Sequence, residues 1–187
     1  MVASEIAVSG RDVNPAIDAH RRLLERWRQA MDLVGPGPLG PHFEDAIAVA
    51  DLLAPRGRWI DLGAGAGFPG VALAALHPTA EFTLVERRQK RAAFLREVIH
   101  TASLRNAQVI EGDVDALPSA AWDGVTSRAY KPPPAYLADA RRLLRPGGVA
   151  VLLAVDDVPA VAGLTIVSRH EYTVDQRSRL LVVYHRD

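Results

Sequence analysis

The sequence predicts an α/β protein on a doubly wound, mostly parallel sheet, preceded by a helical extension. Three observations carry that expectation. From Arg58 onward, short apolar runs of β character alternate with segments of helical spacing. Those β-type runs lack polar alternation, which suits strands covered on both faces. A glycine-rich stretch, Asp61-Leu62-Gly63-Ala64-Gly65-Ala66-Gly67-Phe68-Pro69-Gly70, lies between the first such run and the following helix. That is the setting in which a glycine loop receives a ligand.

Residues 1–13 show no period and are expected to fray; they carry neither a basic stretch nor an apolar core, so no signal peptide is expected. Asn14-Pro15 reads as an N-cap with proline at the first helical position. Ile17, Leu24, Trp27, Met31 and Val34 then recur at helical spacing until Gly35-Pro36-Gly37-Pro38. A second stripe, Phe43, Ile47, Ala50 and Leu53, ends at Pro55. Residues 14–54 therefore read as a two-piece helical cap, and 58–187 as the core of one domain spanning 1–187. In the core, Trp59-Ile60 leads to a helix from Gly70, and Phe82 to Val85 to a helix through Phe94, Leu95, Val98 and Ile99. Gln108 to Ile110 and Gly124 to Thr126 follow, then a helix from about Pro134 to Leu144 and a strand over Val149 to Leu153. Thr165 to Val167 and Leu180 to Val183 have no helix between them, only Glu171 to Ser178, which predicts an antiparallel hairpin at the sheet edge. That ending suits a methyltransferase-type sheet better than a dehydrogenase.

Composition removes several classes. The 22 basic and 22 acidic side chains cancel, so RNA wrapping by bulk charge is excluded and only local basic faces remain. There is no cysteine, hence no thiolate metal site, disulfide or cysteine nucleophile. The longest apolar run, Val149 to Val155, falls far short of the ~20 residues that span a bilayer. A cytoplasmic, monomeric protein is expected. The six histidines are scattered without metal-ligand spacing.

Within the glycine loop, Phe68-Pro69 crowds the place where a dinucleotide's pyrophosphate would sit, and proline removes an N–H donor. Asp61 at a strand end can accept a hydrogen bond from an ammonium group, directly or through water. Glu86, ending the next strand, can take both hydroxyls of a ribose. A ligand with a ribose but no phosphate fits: S-adenosylmethionine.

These segments, with Leu84-Val85-Glu86, Lys90-Arg91-Ala92-Ala93-Phe94-Leu95-Arg96 and Ser127-Arg128-Ala129, resemble the RsmG (GidB) family, bacterial methyltransferases of a guanine N7 in small-subunit ribosomal RNA. Met31-Asp32-Leu33-Val34 and His42-Phe43-Glu44-Asp45 extend the resemblance upstream, and Gln176-Arg177-Ser178-Arg179-Leu180 downstream. It implies a class I S-adenosylmethionine-dependent methyltransferase acting on small-subunit ribosomal RNA. Cofactor contacts are expected at Asp61, Gly63, Ala64, Gly65, Phe68, Glu86, Val114, Asp115 and Arg128. Asp113 competes with Asp115 for the adenine amino group, and Arg128 would position cofactor and acceptor. The chain departs from the family in having Asp115 for Glu, Asp32 for Asn, and Ala154-Val155-Asp156-Asp157 where Lys-Gly is common.

Guanine N7 bears a lone pair and no proton, so no general base is expected, and alignment supplies the catalysis. Lys131-Pro132-Pro133-Pro134-Ala135-Tyr136 only imitates the motif of exocyclic-amine methyltransferases and reads as a rigid lead into a helix. Of three basic clusters, Arg87, Arg88, Lys90 and Arg91 begin beside the ribose acid and are expected to meet RNA phosphate. A diverged methyltransferase with another acceptor and a non-catalytic ligand- or RNA-binding module are the alternative readings.

Overall fold

The computed structural model describes residues 14–154 and 158–187. Expectations for residues 1–13 and for Asp156-Asp157 lie outside them. Two helices come first, α1 (Pro15–Met31) and α2 (Gly40–Leu52). The core then runs β1 (Arg58–Leu62), α3 (Gly70–Leu76), β2 (Glu81–Glu86), α4 (Gln89–Thr101) and β3 (Ala107–Glu111). One 3-10 turn, Val114–Ala116, leads to β4 (Trp122–Ser127), α5 (Pro133–Leu143), β5 (Leu144–Ala154), β6 (Leu164–Val174) and β7 (Arg177–Arg186).

Asn14 caps α1 as its sequence predicts, its Oδ1 accepting from the N–H groups of Ala16 (3.0 Å) and Ile17 (3.3 Å). The helix ends earlier than its apolar stripe does. Asp32 adopts the left-handed conformation (φ 49°) after Met31, which leaves Val34 outside the helix.

The seven strands lie in the order β3-β2-β1-β4-β5-β7-β6. Strands β1 to β5 are parallel to one another, and β7 runs antiparallel to both β5 and β6. The order reverses between β1 and β4, so their C-terminal ends frame the crevice where open α/β sheets bind ligands.

Alternate strand residues feed two cores. Trp59, Phe82, Leu84, Val151 and Leu181 pack against α3, α4 and the two N-terminal helices. Ile60, Leu62, Val85, Val125, Ala150, Leu152 and Val182 pack on the opposite face with Tyr136, Leu137 and Leu143 of α5. The N-terminal cap therefore contributes to one face of the sheet's own core. Tyr136, the tyrosine of the proline-rich segment, is buried, with its hydroxyl 2.7 Å from the Val151 carbonyl and 3.1 Å from that of Val125. The proline-rich segment leads directly into α5, whose first turn carries Pro133 and Pro134.

The hairpin is longer than its apolar runs suggest. β6 and β7 stay paired up to Val174↔Arg177, absorbing most of the segment between Glu171 and Ser178. Asp175 and Gln176 both have positive φ (49° and 59°), the two-residue turn whose twist matches that of the strands.

His20 of α1 is 1% exposed among Phe43, Phe68 and Phe94, and its Nε2 lies 2.7 Å from the Ala66 carbonyl. A carbonyl partner requires Nε2 to carry the proton. Burial lowers the pKa from 6.5 to about 4, against the bond to Ala66, which raises it. The unfolded chain therefore binds a proton that the folded one refuses between those values, and stability falls as pH drops from 6.5 to 4, by about 3 kcal/mol. Urea titrations of the parent and His20→Phe at pH 7 and 4.5 test this. The variant is expected to be weaker at pH 7, its Ala66 carbonyl unpaired, but to lose less on acidification; equal losses would mean that His20 is not the titrating group.

Candidate active site

Residues 63–69 connect β1 to α3 and fold back against the end of β2. Ala64 N–H donates to the Val85 carbonyl at 2.9 Å, continuing the β1–β2 pairing past Leu62. Gly65 N–H donates to Glu86 Oε2 at 3.1 Å, and Arg88 N–H to Glu86 Oε1 at 2.8 Å. Glu86 is thus fixed from both sides while each oxygen keeps a second lone pair for a ligand. Two glycines are obligatory by conformation and space. Gly63 (φ 65°) would place a Cβ 2.8 Å from the Tyr130 ring, and Gly67 (φ 94°) one at 2.7 Å from Val71.

Two cavities meet over these strand ends. The narrower, about 470 Å³, is walled by Gly63, Glu86, Asp113, Val114, Asp115 and Tyr130, with Arg87, Arg88 and Arg91 at its rim. The wider, about 1080 Å³, holds Ala64, Gly65, Phe68 and Arg128 together with His42, Asp45, Tyr172, Arg177 and Arg179. Gly63, Arg91, Ala129, Tyr130 and Lys131 belong to both. The sequence-expected ribose acid and adenine-side residues therefore share one cavity, while the loop residues and Arg128 face the other. Asp113 Oδ1 accepts from Asp115 N–H at 3.0 Å, which closes the 3-10 turn and leaves Asp115 exposed.

Asp61 belongs to neither wall. It is 2% exposed beneath the loop, where Oδ2 accepts from Gly70 N–H at 3.0 Å and Oδ1 has no partner. Burial pushes its pKa up to about 8, with the Gly70 bond and the Arg128 charge acting the other way. It is therefore mostly protonated at neutral pH.

Arg128 follows β4 with its guanidinium 4.4 Å above the Phe68 ring and 3.6 Å from Asp45 Oδ2. The Tyr172 hydroxyl donates to Asp45 Oδ1 at 2.9 Å. Burial lowers the Arg128 pKa and the Asp45 carboxylate opposes that, so it stays a cation. Of the expected RNA-facing cluster, Arg87, Arg88 and Lys90 are exposed. Arg91 instead hydrogen-bonds the Asp32 carbonyl and lies 3.9 Å from its carboxylate. The third arginine cluster is partly engaged in the fold: Arg142 donates to the carbonyls of Leu117 (2.9 Å) and Val114 (2.8 Å), and Arg145 pairs with Asp123. Sequence reasoning assigned no role to Tyr130 or Tyr172, and gave Asp45 only a place in a motif. A lone tyrosine carries no local signal, and the Asp45–Tyr172 bond spans 127 residues.

The family model described as GidB, rRNA small subunit methyltransferase G, matches residues 14–157. The chain belongs to the GidB family. The ribosomal RNA small subunit methyltransferase G of Rhodopseudomonas palustris (strain BisB5) is 34% identical over 168 residues, 84% of this chain and 72% of that protein. Its namesake in Bradyrhizobium sp. (strain ORS 278) is 38% identical over 159 residues, 80% and 72% of the two chains. Among solved structures, an O-methyltransferase from Bacillus cereus in complex with SAH aligns with a TM-score of 0.65 at 17% identity, covering 97% of this chain and 94% of that one. A putative O-methyltransferase from Klebsiella pneumoniae gives 0.65 at 16% identity, covering 97% and 93%. The fold of this GidB-family chain is thus that of class I methyltransferases.

Asp61 offers a test of the loop's electrostatics. Its folded-state pKa of about 8 exceeds the ordinary 3.8, so its contribution to stability is fully present below pH 3.8 and lost as pH rises toward 8. Asparagine keeps the acceptor for Gly70 N–H and cannot ionise. Asp61→Asn is therefore expected to overtake the parent in stability as pH rises from 5 to 8, on the order of a few kcal/mol by denaturant titration. A gap constant across that range would mean an ionised Asp61 throughout.

Proposed function

We propose that this chain methylates N7 of a guanine in small-subunit ribosomal RNA, using S-adenosylmethionine, as a single domain acting as a cytoplasmic monomer. The observation that carries the reading is the pair of joined cavities. One has a ribose acid fixed by two backbone N–H groups; the other is lined by arginines and meets it at Gly63, Ala129 and Tyr130.

The residues fit the cofactor. Glu86 would accept the ribose hydroxyls with the lone pairs left by Gly65 and Arg88. Val114, Asp113 and Asp115, which line the same cavity, would hold the adenine, and the Gly63-Ala64-Gly65 backbone would let the ligand lie close. When bound, S-adenosylmethionine supplies a methyl group on a sulfonium, which needs only an in-line lone pair to accept it. Because guanine N7 has no proton, the positive charge passes to the purine and no side chain takes up a proton. His20 suits that chemistry: its Nε2–H is committed to the Ala66 carbonyl and its ring is sealed among three phenylalanines. Arg128, held by Asp45 and Phe68, orients the acceptor, and its fixed charge discourages binding of the cationic product. Such alignment can supply ~7–11 kcal/mol of the barrier. Arg87, Arg88 and Lys90, exposed beside the narrow cavity, contribute phosphate contacts, while Arg91 is engaged by Asp32.

Incubation with labelled S-adenosylmethionine and small ribosomal subunits lacking the modification, followed by digestion to nucleosides, is expected to yield labelled 7-methylguanosine. Arg128→Ala should lower kcat at least tenfold with little change in cofactor affinity. Gly65→Asp should abolish cofactor binding, because it sets a carboxylate beside Glu86 on a residue with φ 53°. Label in another nucleoside would move the acceptor atom, and none in the RNA despite cofactor binding would sink the ribosomal assignment.

A further inference from the structure

The two cavities over the strand ends meet along a short seam, and a methyl group passing from cofactor to acceptor has to cross it. Five residues line both cavities: Gly63, Arg91, Ala129, Tyr130 and Lys131. Gly63 has no side chain, and Ala129 has a single carbon. Arg91 is engaged by the Asp32 carbonyl, and Lys131 by Asp139 at 2.8 Å. Of the five, Tyr130 alone brings a large uncharged side chain to the seam.

Two left-handed residues place that ring. Ala129, just before Tyr130, has φ 60°, a conformation that a residue with a Cβ adopts reluctantly. Strained residues of this kind persist only where their surroundings hold them, and they cluster at active sites and ligand clamps. Gly63 is left-handed too (φ 65°), and a Cβ added there would meet the ring at 2.8 Å. The Tyr130 ring thus lies directly on the first glycine of the loop, half-buried against the core on the α5 face. Lys131 fences it on another side, its ammonium 4.9 Å from the ring centroid, and Lys131 and Asp139 both engage the phenol hydroxyl. A ring held from so many directions has little room to swing aside and widen the seam.

We infer that Tyr130 is a size gate at the seam: its ring limits the group that crosses to methyl, and so decides which S-alkyl cofactor the chain accepts. The gate rests on the reading above, with the cofactor's adenosine in the narrower cavity and the acceptor in the wider one, and adds the residue that stands between them. The balance of the reaction is the same for any alkyl group on the sulfonium. The acceptor's lone pair forms the new bond to carbon as the electrons of the carbon–sulfur bond return to sulfur, with no proton to place. Selection among alkyl groups in binding must then come from space. One methylene more or less against a fixed apolar wall is worth roughly 10- to 200-fold.

The test measures binding apart from catalysis. The full chain is titrated calorimetrically, without RNA, with S-adenosylmethionine and with S-adenosylethionine, which carries the same charges and one more carbon. Thermal midpoints are recorded alongside. The parent is expected to bind the ethyl cofactor about tenfold or more weakly than the methyl one. Tyr130→Phe keeps the ring and should keep that gap. Tyr130→Ala opens the seam and should bring the two affinities to within about threefold of each other, whereas loss of mere packing would weaken both alike and leave the gap. Should that variant fold poorly, Tyr130→Leu still covers the core and is expected to narrow the gap by a smaller factor. Equal weakening of both cofactors in a folded variant would overturn the inference, as would a parent that binds the two equally well. A parent that binds neither would overturn the inference together with the reading beneath it. A gate seen in binding, with no methyl transfer to small-subunit RNA, would sustain Tyr130's role and sink the ribosomal reading.

Discussion

The carboxyl group of Glu86 is the fixed point of this molecule's crevice. It is 5% exposed, and burying such a group is costly unless its oxygens are bonded. Both are, to backbone N–H groups from two different connections: the glycine loop after β1 and the turn into α4. One side chain therefore sets the distance between two strand ends. The Ala64–Val85 backbone bond adds a second tether at 2.9 Å. With the loop drawn against β2, Gly63 must pass under Tyr130, and no residue with a Cβ fits there. The narrower cavity is the space those constraints leave.

A second tie joins parts of the chain that the sheet alone would not hold together. Asp45 comes from α2, Arg128 from the end of β4 and Tyr172 from β6. The ion pair is long at 3.6 Å and partly desolvated, and such pairs add little net stability. Its consequence is positional. Arg128 is clamped between a carboxylate and the Phe68 face, so its guanidinium points into the wider cavity with few alternative orientations. The clamp and the shared core act together: Phe43, Ala46, Val49 and Ala50 anchor α2 on the sheet, which fixes Asp45 opposite Arg128.

Much of this fold is readable from local pattern. Each of the five parallel strands was marked by a short apolar run, because strands covered on both faces need apolar side chains on both. The edge hairpin was visible only in part. Along β6 exposed and half-covered residues alternate, so Thr165 to Val167 looked like a whole strand when the pairing runs from Leu164 to Val174. The Asp175-Gln176 turn lacks the Asn-Gly signature of such turns, which hid the extension. At the site, Glu86 and the glycine loop announce themselves by strand-end position. Asp61 occupies the expected position but lies beneath the loop, since what distinguishes a lining acid from a buried one is the path of residues 63–70. The Asp45–Tyr172 bond, 127 residues apart in sequence, leaves no mark on any local window.

Neutral net charge does not oppose RNA binding here, because the arginines are divided by task. Arg142, Arg145 and Arg96 are engaged with carbonyls or carboxylates of the fold, and Arg21 and Arg58 lie over Phe43 and Trp122. Arg87 and Arg88, exposed beside the narrower cavity, are in no ion pair among the described residues. Contacts confined to one opening neutralise few phosphates and release few counterions, so nonspecific attraction alone gives little affinity. Selectivity must then rest on the shape of the opening and on a base willing to leave its stack. For an enzyme that must find one nucleotide in a large RNA, that is an advantage: weak attraction everywhere else keeps the crevice free for the site that fits.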